Sequence, residues 1–267
     1  MVQSRSSATA AGRRVDHPDD HSSAAGVIRV EHLTKQFAAL TVVDDLSFTV
    51  ARGEIVGFLG PNGAGKTTTL AMLLGLLLPT RGQVHVLGLP MPEARQRILS
   101  HVNFTSPYVA LPGNLTVDEN LMVFAHIYGV RDARSRIGAL LDRFGLGDMH
   151  GRITGRLSSG EGTRLGLVKA LLNDPEVLFL DEPTASLDPE GADRVREGLR
   201  EIRAERGMTI FYTSHNMQEV ERLSDRILFL HKGHLIAEGP PGEVLQRFAR
   251  DTLEEMFLDV ARGASGW

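Results

Sequence analysis

The residues best suited to chemistry are Gly60, Pro61, Asn62, Gly63, Ala64, Gly65, Lys66, Thr67, Thr68 and Thr69, which run consecutively. They fit the pattern of a glycine, four residues, a second glycine, a lysine and a hydroxyl residue that cradles phosphate. Gly60, Gly63 and Gly65 carry no side chain to block an approaching oxyanion, so successive backbone N–H groups can turn inward as a concave nest. Lys66 would neutralise the β- and γ-phosphates, and Thr67 would offer its hydroxyl to Mg²⁺. A second constellation is Asp181-Glu182, two carboxylates closing the apolar run Val177, Leu178, Phe179 and Leu180. Asp181 can hold Mg²⁺ through water, and Glu182 can orient or deprotonate an attacking water. Two weaker signals accompany them. Ser158-Ser159-Gly160-Glu161 is an anion-friendly turn that simple helix capping also explains, and His215 follows Ser214 just past an apolar run.

These side chains need elements that bring them to one place. Ile55, Val56, Phe58 and Leu59 predict a buried strand before the phosphate loop, and the apolar run over residues 70–78 predicts a helix after it. A strand ending at Asp181 and another over residues 208–213 put both carboxylates and His215 at the carboxyl edge of an α/β sheet, where ligands bind. There His215 is within reach of a γ-phosphate. Residues 27–30, 46–50 and 83–87 alternate as strands and predict a β-rich edge. Phe37 lies between the first two and suits either a core position or an adenine-stacking platform. Thr116 to Glu119 has the spacing of a capping box, with Leu121, Phe124, Ala125 and Tyr128 following at helical intervals. Ile137, Leu140, Leu141 and Phe144 form a second amphipathic run before Gly145, so residues 107–155 predict a helical lobe. A long helix is expected through Leu165, Leu167, Val168, Leu171 and Leu172, and the mixed charges over residues 194–206 predict a solvated helix face. Residues 217–223 predict another helix, and 226–230 and 234–238 late strands.

Composition narrows the classes further. The 267 residues suffice for one large domain or a domain with a lobe, and residues 1–26, poor in large apolar side chains, are expected to be a disordered tail. With no cysteine, a disulfide framework and thiolate metal sites are excluded. The net charge of −4 gives no bulk attraction to nucleic acid. The apolar run at 70–78 is far short of the roughly twenty residues needed to span a bilayer, and no cleavable leader opens the sequence. A soluble, intracellular protein is the expectation.

Together these motifs resemble the ATP-binding subunit of an ABC transporter over residues 27–245. Residues 60–67 resemble its Walker A loop, 157–161 its signature loop, 177–182 its Walker B strand with the catalytic glutamate, Ser186-Leu187-Asp188 its D-loop and His215 its switch histidine. Phe37 falls where the family carries an adenine-stacking aromatic. The resemblance implies an α/β P-loop NTPase of ABC type: a mixed-sheet core with a β-rich edge and a helical lobe that receives a membrane partner. It further implies ATP and Mg²⁺ as cofactors and a homodimer or heterodimer of ATP-binding subunits closing head to tail. Ser158, Ser159, Gly160 and Glu161 of one subunit would then face the γ-phosphate held by Lys66 of the other. A separate integral-membrane permease would be powered, and the subunit would sit peripherally on the cytoplasmic face of the membrane.

Three positions depart from the family pattern. The junction of the lobes, residues 102–107, has no glutamine, which leaves Asn103, Thr105 and Ser106 as candidate oxygens near the metal. Ser159 stands where glycine is usual and Glu161 where glutamine is usual. Residues 246–267 are expected to form an amphipathic helix and tail, with Leu253, Met256, Phe257 and Val260 on one face. That ending resembles drug-export and polymer-export subunits, although a helix packed on its own domain would have the same pattern. The competing expectations are a soluble non-transport member of the superfamily, disfavoured by a single cassette without heptads or basic patch, and a subunit that binds ATP with little turnover, disfavoured by Glu182 and His215.

Overall fold

The computed structural model describes residues 26–106 and 110–261, so the expected tail lies outside the described residues apart from Gly26, as do residues 107–109 at the lobe junction. The chain runs β1 (Ile28–Phe37), β2 (Leu40–Val50), β3 (Ile55–Leu59), α1 (Lys66–Leu73), β4 (Arg81–Val86), β5 (Leu89–Met91), α2 (Arg95–Leu99) and β6 (Val102–Thr105). It continues through α3 (Val117–Ile127), α4 (Ala133–Arg143), α5 (Ser159–Ala170), β7 (Val177–Asp181), α6 (Pro189–Arg206) and β8 (Thr209–Ser214). The last elements are α7 (Met217–Leu223), β9 (Arg226–His231), β10 (His234–Gly239), α8 (Pro241–Phe248) and α9 (Leu253–Ala261).

Two sheets organise these elements. An antiparallel sheet has the order β2-β1-β4-β5, and a mixed sheet the order β10-β9-β3-β8-β7-β6, in which β9, β3, β8, β7 and β6 pair in parallel and β10 is antiparallel. The central strands are apolar without interruption because both faces are covered. Alternate residues feed two cores. Phe58, Phe179, Phe211 and Leu228 face the antiparallel sheet, whereas Ile55, Leu178, Leu180, Ile210 and Phe229 face the helices. At the first interface Phe211 lies 5.3 Å from Phe58, 5.9 Å from Phe179 and 5.9 Å from Phe48 of β2, ring centre to ring centre.

The helical lobe forms as its sequence dictates. Thr116 and Glu119 close a capping box on α3, and Ile137, Leu140, Leu141 and Phe144 are all buried in the core that the lobe shares with the mixed sheet, Phe144 lying against Gly198 of α6. Three expectations need correction. The apolar run over 70–78 is helical only to Leu73, because Gly75 takes a left-handed φ of +64° that ends the helix and leaves Leu76 and Leu78 exposed. The helix entered at Ser159 likewise stops at Ala170, so Leu171 and Leu172 are buried beyond it. On α6 the charges are not all solvated, since Arg196 is buried and paired with Asp193. The terminal residues form two helices. Leu253, Met256 and Val260 of α9 are buried in the chain's own core, and the Leu253 N–H donates to Glu221 of α7, so the terminal helix packs on its own domain.

Candidate functional site

Strand order explains why distant residues meet. In the mixed sheet β3, β8 and β7 are adjacent and parallel, with Leu59 opposite Ser214 and Asp181 opposite Thr213. The phosphate loop leaves β3, His215 leaves β8, and Glu182 leaves β7, so all three emerge at one carboxyl edge. Lys66, Asp181, Glu182 and His215 are thereby gathered although they are scattered through the chain.

The phosphate loop is rigidly made. Gly60 and Gly65 hold φ of +150° and +107°, and a Cβ at these positions would come within 2.2 Å of the Leu230 carbonyl and 2.8 Å of the Val42 carbonyl, so no other residue fits. Around Gly63 nothing lies within 4 Å of a would-be Cβ, which leaves that part of the nest open to a ligand. The Gly233 N–H donates to the Ala64 carbonyl and ties the loop to the turn between β9 and β10. Lys66 folds back over the loop, its Nζ donating to the carbonyls of Gly60 at 2.5 Å and Pro61 at 3.2 Å. Burial lowers its pKa, and the negative charges of Glu182 and Asp181 oppose that shift. The ammonium is therefore a partly desolvated cation, whose attraction for an anion is stronger than it would be in water. Pro61 and Asn62 complete the loop, and the exposed Thr67 and half-buried Thr68 stand in the first turn of α1.

Across from the loop, Asp181 is 8% exposed and accepts a 2.6 Å hydrogen bond from the Thr213 hydroxyl. The Glu182 N–H donates to both the carbonyl and the hydroxyl of Thr213. Glu182 itself holds a left-handed φ of +52°, uncommon for a non-glycine residue and a strain often found at sites of chemistry. Its Oε2 lies 2.6 Å from His215 Nδ1 and 3.3 Å from the His215 backbone nitrogen. The ring of His215, placed by its sequence position within reach of a γ-phosphate, sits on Glu182. Thr213 was not foreseen, and the available signal was a hydroxyl closing an apolar strand that pairs with β7.

Thr67 and Asp181 are hard oxygen donors of the kind Mg²⁺ takes, and no group of three or more His, Asp or Glu side chains forms a metal cluster among the described residues. That donor set suits an ion completed by water and phosphate. Of the three candidates at the lobe junction, Asn103 is turned away, its Nδ2 donating 2.8 Å to Asn173 and its Oδ1 accepting from the Phe104 N–H. Thr105 and Ser106 instead line a cavity of about 490 Å³ together with Asp181, Ser158 and Ser159.

The remaining site candidates fall around this edge. Phe37 is 46% exposed at the end of β1, with Lys35 Nζ 4.9 Å from its ring centre, so it is not a core aromatic. Ser158 caps α5 by accepting from the Glu161 N–H at 3.2 Å, while the Glu161 carboxylate accepts from the Ser158 N–H at 2.6 Å. That hydrogen bond is the largest cause holding the Glu161 carboxyl below the ordinary range. Arg152 sets its guanidinium 3.1 Å from the same carboxylate. The Ser158 hydroxyl also bonds the Glu161 carboxylate, which adds to that lowering. A Cβ on Gly160 would meet the Ser186 carbonyl at 3.3 Å, so the signature turn and the D-loop lie against each other in one chain. Asp188 caps α6 by accepting from the Gly191 N–H. Among the described residues no hydrogen bond joins Ser158, Ser159, Gly160 or Glu161 to the phosphate loop.

Comparison with known proteins agrees with this geometry. Residues 43–185 match the family described as ABC transporter. The chain is 39% identical over 243 residues to the probable multidrug ABC transporter ATP-binding protein YbhF of Escherichia coli, covering 88% of this chain and 41% of that protein. It is 42% identical over 221 residues to the Nod factor export ATP-binding protein I of Burkholderia lata, covering 82% of this chain and 72% of that one. The chain thus spans less than half of the first relative and nearly three quarters of the second. A solved ATP-binding subunit of an ABC transporter superposes with a TM-score of 0.80 at 29% identity, covering 88% of this chain and 99% of its own. With the phosphate loop, the paired carboxylates and the capped turn at Ser158 in place, the chain belongs to the ABC transporter family.

Proposed function

We propose that this chain hydrolyses ATP in a head-to-tail pair of ATP-binding subunits and drives a separate integral-membrane subunit that exports its substrate. The observation that carries the proposal is the meeting of Lys66, Asp181, Glu182 and His215 at one sheet edge, with His215 2.6 Å from Glu182. In this reading the phosphate loop and Lys66 neutralise the β- and γ-phosphates, and Phe37 offers its open face to the adenine. Thr67 and Asp181 would hold Mg²⁺, which would supply neutralising charge at the phosphates. Glu182 orients and deprotonates the attacking water, and His215 sets the Glu182 carboxylate and turns to the γ-phosphate when the second subunit closes. Ser158, Ser159, Gly160 and Glu161 act from the opposite subunit, with Asp188 near the contact. The capped helix start at Ser158, with Gly160 lying against Ser186, supports that assignment.

Export is supported by the relatives, one named for multidrug transport and one for Nod factor export. No helix among the described residues is long and apolar enough to cross a membrane. In this reading the permease is a separate chain or segment, and the subunit sits on its cytoplasmic face. Steady-state hydrolysis measured against protein concentration, with Glu182→Gln alongside, tests the proposal. Turnover per subunit that rises with concentration and disappears in Glu182→Gln, while that variant collects as an ATP-bound dimer, is expected. A variant that stays monomeric at saturating ATP and Mg²⁺ would refute the head-to-tail closure.

A further inference from the structure

Behind the Glu182–His215 pair lies a carboxylate that no step above uses. Glu219, on α7, is 2% exposed. Its Oε2 accepts from the Thr184 hydroxyl and, at 3.1 Å, from the Ser214 hydroxyl, while its Oε1 is buried without a partner. Thr184 stands two residues after Glu182, on the segment that runs on to Asp188. Ser214 stands one residue before His215, and its Oγ also accepts from the Asn216 N–H. One oxygen atom therefore joins the two segments that carry the two halves of the proposed catalytic pair.

We infer that Glu219 is a positioning residue that locks the segment from Thr184 to Asp188 onto the segment carrying His215, so that displacement of the first shifts the histidine. The inference rests on the roles proposed for Glu182 and His215. A carboxylate kept in a buried place with one oxygen unsatisfied is costly to stability. Such an arrangement is expected where a hydrogen-bonded link does work for function. Desolvation raises the Glu219 carboxyl pKa, and the nearby Glu182 charge adds to the rise, which places the two acids within electrostatic reach. The Glu219 N–H is itself capped by Asn216, so the link is anchored at both ends of the turn between β8 and α7. If the second subunit presses on the D-loop when it closes, Glu219 gives a hydrogen-bonded route from that segment to the residue before His215, beside the direct Glu182–His215 bond.

Thr184→Val, which removes one hydroxyl and little volume, tests the link without emptying the core. In the full chain, amide hydrogen exchange of residues 214–217 is expected to accelerate about tenfold although the substitution lies in the other segment. Turnover is expected to fall about tenfold, with nucleotide affinity, measured with a fluorescent ATP analogue, unchanged within about twofold. Glu219→Gln keeps an acceptor for both hydroxyls and should retain most turnover, whereas Glu219→Ala should match Thr184→Val without adding to it in the double variant. Exchange that quickens only in residues 183–188, or losses that multiply in the double variant, would overturn the inference. A wild-type chain without turnover whose exchange is nevertheless coupled in this way would sink the ATPase roles and leave the link standing.

Discussion

Arg152→Ala removes the guanidinium that the structure sets 3.1 Å from Glu161, and the consequence can be worked through from the geometry. Glu161 occupies the third position of α5, where its carboxylate caps the Ser158 N–H and faces the surface proposed to receive a γ-phosphate. With side chains 46% and 15% exposed, the pair is partly screened by solvent, so its own contribution to folding is about 0.5 to 1 kcal/mol. Its larger effect should be on association, because loss of Arg152 leaves the Glu161 carboxylate with one neighbouring cation fewer, Arg164 remaining, next to an incoming anion. Repulsion of about 1 kcal/mol at each site follows from charges near a helix terminus in a half-open setting. A head-to-tail pair has two such sites, and about 2 kcal/mol weakens dimerisation roughly thirtyfold. The assay is ATP-driven dimerisation in the Glu182→Gln background, followed by analytical ultracentrifugation. Adding Glu161→Gln keeps an acceptor for the Ser158 N–H and removes the charge, so the combined variant should return to within about threefold of its parent. An Arg152→Ala chain that dimerises like its parent, or a combined variant as weak as Arg152→Ala, would refute the electrostatic argument.

Other substitutions test the remaining parts. Lys66→Ala should weaken ATP binding by about a hundredfold, since it deletes a partly desolvated cation from the phosphate nest; isothermal titration giving an unchanged affinity would contradict the role. Phe211→Ala should cost about 3 to 5 kcal/mol in urea unfolding, because three rings pack within 6 Å of it between the sheets. Because burial raises the Glu219 pKa above its ordinary 4.5, the folded chain holds that proton more tightly than the unfolded chain. Stability relative to Glu219→Gln should therefore fall as pH rises from 4.5 through the folded value, and unfolding midpoints at about pH 5 and about pH 7.5 would reveal it as a slope absent from the variant.

Much of the site was legible because the residues that cradle phosphate must be glycines, a lysine and a hydroxyl in fixed order, whatever surrounds them. The pattern of residues 60–67 therefore disclosed a nucleotide loop directly, and Thr116 with Glu119 disclosed a helix start, since capping is a local hydrogen-bond exchange. Apolar runs marked the central strands because a strand covered on both faces must be apolar throughout. Local sequence spoke less clearly about where elements stop. Gly75 ended α1 inside an apolar run, and only its left-handed backbone tells that glycine from one tolerated within a helix.

Tertiary structure decided everything that depends on which strands are neighbours. That β8 lies between β3 and β7 puts Thr213 on Asp181 and His215 on Glu182, and no spacing along the chain encodes that order. Phe37 as an open platform rather than a core ring, Arg196 buried on a charged helix, and α9 packed on its own domain were likewise settled by what covers each surface. Glu219 was silent in the sequence, one acid among many on an amphipathic run, until the fold buried it between two hydroxyls. The sequence alone determined the residues with the chemistry, because chemistry follows from side-chain type and local backbone. Their partners were left to the tertiary structure, because burial and hydrogen bonding across a sheet depend on strands that are far apart in the chain.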